Sequence, residues 1–401
     1  MTHTTDVAIV GGGPGGLTLA RLLTTGGSAR VTVYERDGGR TARTQGGTLD
    51  LHADTGQRAL RAAGLTQAFR RHARPEGEDM LLLDPTGTVL HRDDTPDDSP
   101  ALRPEIDRAD LRDLLLDSLP PGTVAWGRTL RTAVPVPASA PSPDGEGSGG
   151  GWQLEFTDGS RAEHQLLIGA DGANSRVRPL LTPAVPQHLG VNAIEGTVPD
   201  IDRTHPDLAA VVGRGSYWVV GDGRSLVAQR CSDGSVRIGL SFYGPADRAA
   251  DWLTTCGIPF DRPDEARAAL LPLFADWTPD CRALIAAACA GPLTPRALTA
   301  LPVGLRWPHR PGLTLLGDAA HLMPPVGHGA NAAMRDALEL ATALAATPAD
   351  PDAALRAYEE EMFTRTAGVA DESARILAMI TSPAGGPGIA AFFRGETRPG
   401  A

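Results

Sequence analysis

The sequence predicts an α/β fold with a parallel sheet, an inserted antiparallel sheet and a long C-terminal helix. A strand, a glycine turn and a helix open the chain, and the apolar runs 166–169 and 313–316 each lead into a loop of Gly and Asp. Such alternation of strands and helices is typical of parallel sheets. Residues 187–305 instead carry short alternating runs between Gly and Asp turns, typical of antiparallel strands.

At 401 residues the chain is long enough for two packed domains. We expect a nucleotide-binding domain in two parts, an inserted sheet domain, and a C-terminal helix with a tail. The expected boundaries are 1–186 and 306–350 for the first domain, 187–305 for the sheet domain, and 351–401 for the helix and tail. Residues 80–90 predict a hairpin, 134–151 a mobile Pro/Gly/Ser-rich loop between two strands, and 352–381 one helix.

The glycine turn at residues 11–16 follows the apolar run 7–10 and precedes a helix. Gly11 permits the tight turn, Gly13 lets a pyrophosphate approach the backbone, and Gly16 allows close packing of helix and strand. Glu35 ends the second strand, where an acid binds the adenosine ribose. This spacing predicts a Rossmann-like unit that binds a dinucleotide at a helix N-terminus.

Composition excludes several other functions. The formal net charge of -11 argues against nucleic acid or an anionic membrane as the main partner, and no apolar run is long enough to span a bilayer. The four cysteines have neither Cys-x-x-Cys nor nearby His spacing, so we expect no metal site and reduced thiols in the cytoplasm. No lysine occurs, which excludes any mechanism that requires one.

Two further motifs follow buried strands. Residues 166–178 contain Asp171 within Gly-Ala-Asp-Gly, followed by two arginines. Residues 313–337 contain Asp318 after Gly317, then a Pro/Gly loop that leads into a helix. Either aspartate could bind a cofactor or could cap the helix or turn that follows it.

The order and spacing of the three motifs resemble those of class A flavoprotein monooxygenases, the para-hydroxybenzoate hydroxylase-like group. The sequence is most similar to the tetracycline-inactivating flavin monooxygenases. The stretches that carry this second resemblance are 33–37, 46–52, 104–106, 110–112 and 321–325. The resemblance extends from residue 5 to about residue 375. It implies a Rossmann-like FAD-binding domain, an antiparallel β-sheet substrate domain and a C-terminal helix.

The resemblance also implies the residues that bind FAD without a covalent bond. Glu35 would bind the adenosine ribose, Asp318 a ribityl hydroxyl, and Arg108 would lie near the pyrophosphate. The other expected contacts are Gly11, Gly13, Pro14, Gly15, Gly16, Arg36, Arg43, Asp50, Leu130, Asp171, Gly317, Pro325, Gly329, Ala330 and Asn331. The N–H groups of residues 329–331 would face the flavin N1–O2 edge, where a helix N-terminus stabilises the anionic reduced ring.

The activity implied is that of a single-component monooxygenase of secondary metabolism. NAD(P)H would reduce the flavin, with help from Asp171, and a C4a-hydroperoxyflavin would transfer one atom of dioxygen to an aromatic, phenolic or polyketide-like molecule. We expect a monomer or weak dimer. A flavin oxidase or reductase and a non-catalytic FAD-binding protein are the alternatives. Flavin-dependent halogenases are excluded because they require a lysine and a Trp-x-Trp-x-Ile-Pro stretch, and this sequence has neither.

The candidate catalytic residues are Arg43, expected near the flavin N5, and Arg237, expected to anchor an acidic phenol or enolate. We expect the pocket between the domains to be lined by Tyr217, Trp218, Arg237 and Pro325. The alternatives are an aromatic core for the tyrosine and tryptophan, and a solvated sheet-surface position for Arg237. The loop 325–331 is one residue shorter than the family pattern, and the residues that bind tetracycline in the family are not evidently retained, so a tetracycline substrate is not implied.

Overall fold

The computed structural model describes residues 5–27, 29–43, 46–97, 100–137, 150–244, 249–382 and 385–396. The strands are β1 Thr5–Val10, β2 Ala29–Tyr34, β3 Thr48–Asp50, β4 Met80–Leu83, β5 Val89–Asp93, β6 Glu105–Asp107, β7 Val124–Ala125, β8 Leu130–Val136, β9 Gly151–Phe156, β10 Arg161–His164, β11 Leu166–Gly169, β12 Gln187–Val198, β13 Ser216–Gly221, β14 Arg224–Arg230, β15 Val236–Tyr243, β16 Thr294–Ala300 and β17 Leu313–Leu315.

The α-helices are α1 Pro14–Thr25, α2 Gly56–Ala62, α3 Thr66–Arg70, α4 Arg108–Asp117, α5 Ile201–Thr204, α6 Pro206–Val212, α7 Trp252–Thr255, α8 Pro263–Leu270, α9 Pro279–Ala288, α10 Asp318–His321, α11 Gly329–Ala346, α12 Pro351–Thr381 and α13 Gly385–Phe393. Short 3₁₀ turns lie at Pro75–Glu78, Arg178–Leu180 and Leu271–Phe274. No helix of the described ranges combines the length and apolar character needed to cross a bilayer.

A five-stranded parallel sheet forms the centre of the first domain, in the order β17-β11-β1-β2-β7. Its central strands read as continuous apolar runs because helices and the strands β8 to β10 cover both faces. Both apolar runs that lead into Gly and Asp loops, β11 and β17, end at the same edge as β1. The sequence motifs that follow these strands are therefore brought together at the carboxyl edge of the sheet, where such folds bind ligands.

The second sheet has seven strands in the order β16-β12-β15-β14-β13-β4-β5. One face is buried against α6, α8 and α9, with Phe274 and Leu284 fully enclosed. The predicted hairpin at residues 80–90 is present, but β4 pairs in parallel with β13 and so extends this sheet. The range 187–305 expected for the sheet domain does not include this hairpin.

The opposite face of the second sheet, which α6, α8 and α9 do not cover, contacts the first domain. A Cβ placed on Gly47 would lie 3.2 Å from Cγ of Arg237 on β15, so the two domains touch at this point. The long predicted helix is α12, and it contacts both domains. Near its start Tyr358 donates to the carbonyl of Leu315, at 3.0 Å, and near its end Ile376 packs in an apolar cluster with β4 and β13.

The range predicted for the mobile loop, 134–151, is too long, because residues 134–136 belong to β8 and Gly151 begins β9, and the two strands pair antiparallel as expected. Residues 138–149 of that loop lie outside the described part of the chain.

Candidate active site

The glycine turn between β1 and α1 has little room for side chains on its protein side. A Cβ on Gly11, whose φ is +114°, would lie 2.2 Å from the carbonyl oxygen of Ala170, and one on Gly16 would lie 2.1 Å from that of Gly11. A Cβ on Gly13 would meet nothing within 4 Å. The turn is therefore packed against β11 on one side and open on the other, which is the shape that a pyrophosphate needs.

Helices α1 and α11 both begin without a side-chain cap, whereas Asp350 caps α12. In the described part of the chain nothing accepts a hydrogen bond from the N–H groups of Gly329, Ala330 or Asn331. The two helices cross closely, because a Cβ on Gly15 would lie 3.1 Å from Cβ of Ala333. Two positive helix ends are thus available to anionic groups of one ligand.

The carboxylate of Glu35 is buried and already holds the turn in place. Its oxygens accept hydrogen bonds from the N–H of Gly12 at 2.7 Å and from that of Asp37 at 2.9 Å. Each oxygen retains capacity for another donor such as a ribose hydroxyl. The carbonyl of Glu35 accepts from Arg128, two residues before the buried Leu130, so the expected adenosine contacts lie together.

Arg43 lies near Glu35, in the loop that follows β2. Its Nε donates to the Asp37 carboxylate at 2.9 Å, and the side chain is 52% exposed. The same carboxylate binds the buried Arg112 at 3.3 Å. This pairing draws the Arg43 guanidinium toward the Glu35 strand, and its expected contact with the flavin ring stays a prediction. Arg36, the other expected arginine of this region, is exposed.

Asp318 and Arg108 lie further along the cleft. The carboxylate of Asp318 lies 3.7 Å from the Cβ position of Gly329, and no side chain or backbone group of the described residues hydrogen-bonds to it. Burial raises its pKa, while His321, Arg108 and Arg178 oppose that shift. Protein atoms around the Arg108 guanidinium remove part of its hydration and so lower its pKa, although the residue as a whole is exposed. Both groups therefore line a recess, and the capping alternative for Asp318 is not what the structure has.

Asp171 does have the capping geometry. Its Oδ2 accepts from the N–H of Arg176 at 2.6 Å and weakly from that of Val177. Its Oδ1 is buried without a hydrogen-bond partner, and the residue lies next to Gly11. Burial raises the pKa of this carboxyl. Its expected role in reduction by NAD(P)H stays a prediction.

Arg178, which was not among the residues predicted from the sequence, joins the second and third motifs. Its guanidinium donates to the carbonyls of Gly172, Ala173, Asp318 and Ala319, at 2.7 to 3.3 Å. Two arginines follow Asp171 in the motif, and nothing in their local pattern distinguishes this buried one from Arg176, which is exposed.

Asp336 is a second residue that the sequence analysis missed. Its buried carboxylate accepts from the N–H of Gly317 at 2.8 Å, from His321 at 2.6 Å and from Arg365 at 2.7 Å. These contacts hold its pKa at about 2, against the effect of burial. The helical spacing of apolar residues around position 336 indicates that this acid is buried, and a buried acid is almost always paired.

The side chain of Asn331 is fully used within the protein. Its Oδ1 accepts from the N–H of His52 at 2.9 Å, and its Nδ2 donates to the carbonyl of Asp50 at 2.8 Å. Its expected role toward the cofactor is thus left to its backbone N–H.

One of the residues expected to line the substrate pocket lies elsewhere. Tyr217 was expected to line the pocket, but strand alternation places it on the helix-covered face, where its hydroxyl lies 3.7 Å from Sγ of Cys281. Trp218 points to the opposite face and packs with Val326 of the Pro/Gly loop and Phe393 of α13. Pro325, in the same loop, is exposed.

Arg237 is on the face that meets the first domain. It donates to Thr197 at 2.8 Å, and its Nε is buried without a partner. The register places Glu195 on the same face, where it binds Arg296 at 2.7 Å. Arg237 is half-buried and contacts the Gly47 loop, so the solvated-surface alternative does not describe it.

These features fit FAD. The donors are backbone N–H groups and an arginine, which suit phosphates, and the acceptors Glu35 and Asp318 suit hydroxyls. Gly13 and Asp318 both lie near the crossing of α1 and α11, since Cβ of Ala333 would lie 3.1 Å from a Cβ on Gly15 and 2.8 Å from a Cβ on Gly317.

Known FAD-binding proteins are similar to this chain in sequence. The model of the FAD binding domain family matches residues 4–116 and 306–373, and the second range continues into α12. The monooxygenase asqM of Emericella nidulans is 32% identical over 90% of this chain and 91% of its own. The 3-amino-4-hydroxybenzoate 2-monooxygenase PtnB3 of Streptomyces platensis is 32% identical over 91% and 85%.

Solved structures share the fold. HpxO of Klebsiella pneumoniae, complexed with FAD and uric acid, superimposes with a TM-score of 0.76 at 24% identity and covers 98% of this chain and 93% of that one. The tetracycline destructase Tet(51) has a TM-score of 0.69 at 15% identity, over 98% and 96%. The chain belongs to the class A flavin monooxygenases. It is an FAD-dependent monooxygenase, as the resemblance implied.

Proposed function

We propose that this enzyme uses NAD(P)H and dioxygen to hydroxylate or otherwise oxygenate an acidic aromatic or polyketide-like small molecule. The observation that carries the proposal is Arg237, which forms no ion pair among the described residues and lies on the sheet face that meets the first domain. The neighbouring Arg296 is paired with Glu195, and Arg108 is expected near the pyrophosphate, so Arg237 is the cation left for the substrate. A local positive potential of this kind favours a carboxylate, phenolate or enolate.

Two relatives act on, or bind, molecules of this kind. PtnB3 is named for a hydroxybenzoate, and the HpxO structure contains uric acid. For this chain we propose the shared chemistry, a planar ring with an acidic group, and no particular compound.

FAD, when bound, accepts electrons from NAD(P)H and activates dioxygen. The residues of this chain position it. The N-termini of α1 and α11, together with Arg108, would bind its anionic groups, while Glu35 and Asp318 would accept hydrogen bonds from its hydroxyls. The sheet face with Trp218 and Arg237 would hold the substrate and exclude water. Arg237 would bind the acidic group of the substrate.

The experiment is to incubate the FAD-loaded enzyme with NAD(P)H, ¹⁸O-labelled dioxygen and a panel of hydroxybenzoates and phenols, and to analyse the products by mass spectrometry. We expect one labelled oxygen atom in the product. Consumption of NAD(P)H with release of hydrogen peroxide and no labelled product from any acidic ring would contradict the proposal and favour an oxidase.

A matched pair of variants tests the anchor. Arg237→Met should raise KM for an anionic substrate about 10- to 100-fold, as expected for loss of one charged hydrogen bond, while a neutral analogue changes less. Arg203→Met is the control, because Arg203 is 77% exposed and pairs only with Asp200 among the described residues. Equal KM values for Arg237→Met and wild type would remove Arg237 from the substrate site.

A further inference from the structure

Two histidines meet where β3 ends and α11 begins. His52 follows β3, and His328 is the residue directly before the first turn of α11. Their ring centroids are 5.9 Å apart and the rings are nearly perpendicular, at 84°. His52 Nε2 lies 3.0 Å from Oδ2 of Asp50, which completes a cluster of three titratable groups.

The cluster is fixed to the start of the helix. The Asn331 side chain accepts from the N–H of His52 and donates to the carbonyls of Asp50, at 2.8 Å, and Gly327, at 3.3 Å. Gly327 has φ of +102°, and a Cβ there would lie 3.5 Å from the Asp50 carboxylate. His52 and Asp50 are therefore fixed to the start of α11, and His328, whose ring contacts His52, directly precedes the free N–H groups of residues 329–331.

We propose that His328 supplies a proton-dependent positive charge to the reduced flavin and so couples its redox potential to pH. This inference rests on the proposed placement of the flavin N1–O2 edge at the N-terminus of α11. Reduction places negative charge at that edge, and the helix end offers only about half an elementary charge to oppose it. An imidazolium at the same position adds a full charge, which His can gain near neutral pH.

The direction of the coupling follows from the neighbours of His328. Burial lowers its pKa and the like charge of His52 lowers it further, while Glu372 of α12 and Asp50 raise it. The Asp318 carboxylate faces the same helix end from α10. A negative flavin raises the pKa of His328, so reduction is accompanied by proton uptake between the lower pKa of the oxidised form and the higher pKa of the reduced form.

The test is a spectroscopic redox titration of the FAD-loaded enzyme from about pH 5 to about pH 9. Within the window between the two pKa values of His328, the wild type should show one additional proton per two electrons. That is a tenfold change per pH unit, or about 30 mV. His328→Gln should lack this additional slope, and its reduced flavin should be about tenfold less stabilised at the acidic end.

Two more variants make the result decisive. His328→Arg carries a permanent charge, so it should keep the high potential and lose the additional slope. It also covers the case in which His328→Gln fails to fold. His72→Gln is the control, since His72 is 44% exposed, follows α3 and faces Asp110. It should behave as wild type.

Failure of the inference is distinguishable from failure of the proposed function. If His328→Gln binds FAD and titrates with the wild-type slope, the inference is wrong while the monooxygenase proposal stands. If the wild type oxygenates no acidic ring yet shows the His328-dependent slope, the substrate proposal is wrong and the inference stands.

Discussion

Glu105 is a buried acid beside the site whose protonation changes near neutral pH. It lies on β6 directly opposite Asp50, and Thr48 donates to its Oε2 at 2.5 Å. Burial is the main reason that its pKa is raised to about 7, and the Asp50 charge adds to the shift. The folded protein therefore favours the protonated form of this residue, and the unfolded chain does not.

This raised pKa predicts how stability depends on pH. The contribution of Glu105 is fully present below its ordinary pKa of 4.5 and is lost as pH rises through about 7. Glu105→Gln should remove this dependence, so the free energy of unfolding of the variant should exceed that of wild type by about 1–3 kcal/mol at about pH 8. Urea unfolding at several pH values measures it.

The control for this experiment is Glu361→Gln, because Glu361 is exposed on α12. Its unfolding profile should follow that of wild type. A Glu105→Gln variant that runs parallel to wild type from about pH 4.5 to about pH 8 would show that Glu105 titrates normally.

Two substitutions in the glycine turn between β1 and α1 distinguish the glycine that packs against protein from the glycine that faces the ligand. Gly16→Ala would bring a Cβ 2.1 Å from a carbonyl oxygen, whereas Gly13→Ala meets nothing within 4 Å. We expect Gly16→Ala to destabilise the cofactor-free protein by several kcal/mol, since backbone must move. Gly13→Ala should keep the wild-type midpoint without FAD and bind FAD at least tenfold more weakly, because its methyl group occupies the pyrophosphate side.

Thermal unfolding without cofactor and fluorescence titration with FAD separate these effects. Wild-type FAD affinity in Gly13→Ala would mean that the open side of the turn is not where the phosphates bind.

Elements with a strong local pattern could be predicted from the sequence. The glycine turn, the parallel strands and α12 have patterns of spacing that few other structures share. Tyr217 could not be placed, since adjacent Tyr217 and Trp218 are both aromatic and only the sheet partners decide which faces the helices. The pairing of β4 with β13 joins residues more than 130 positions apart, and no local pattern encodes it. Arg178 binds a backbone carbonyl 141 positions away, and no local pattern shows this contact. Asp336 is paired with Arg365, which is 29 positions away and is one of several arginines on α12.

At the scale of the whole molecule, α12 connects the two domains: Tyr358 and Arg365 contact the first domain, and the apolar end of the helix packs on the second sheet. Arg365 of α12 binds Asp336 and Glu339 of α11 at 2.7 and 2.6 Å and is 9% exposed. Arg365→Gln should lower the free energy of unfolding by about 1.5–3 kcal/mol, because the Asp336 carboxylate loses one charged donor and keeps His321 and the N–H of Gly317. Since α12 contacts both sheets, both domains should unfold in the same transition, at a lower urea concentration.

Arg375→Gln on the same helix is the matched control. Arg375 pairs with Asp371 at 2.6 Å but is 49% exposed, so its loss should cost less than about 1 kcal/mol. Equal effects of the two substitutions on the midpoint would show that the buried pair adds nothing to the connection between the domains.

The uncapped starts of α1 and α11 have a consequence for how stable the enzyme is without its cofactor. Both helix ends keep N–H donors without a side-chain cap that an anionic ligand can engage, and the native state presents them together. FAD then acts as a folding ligand by mass action. At a free concentration one hundred times its dissociation constant it adds about 2.7 kcal/mol to stability. A protein that lacks FAD should therefore unfold at a lower temperature and be cleaved faster by a protease than the FAD-loaded protein.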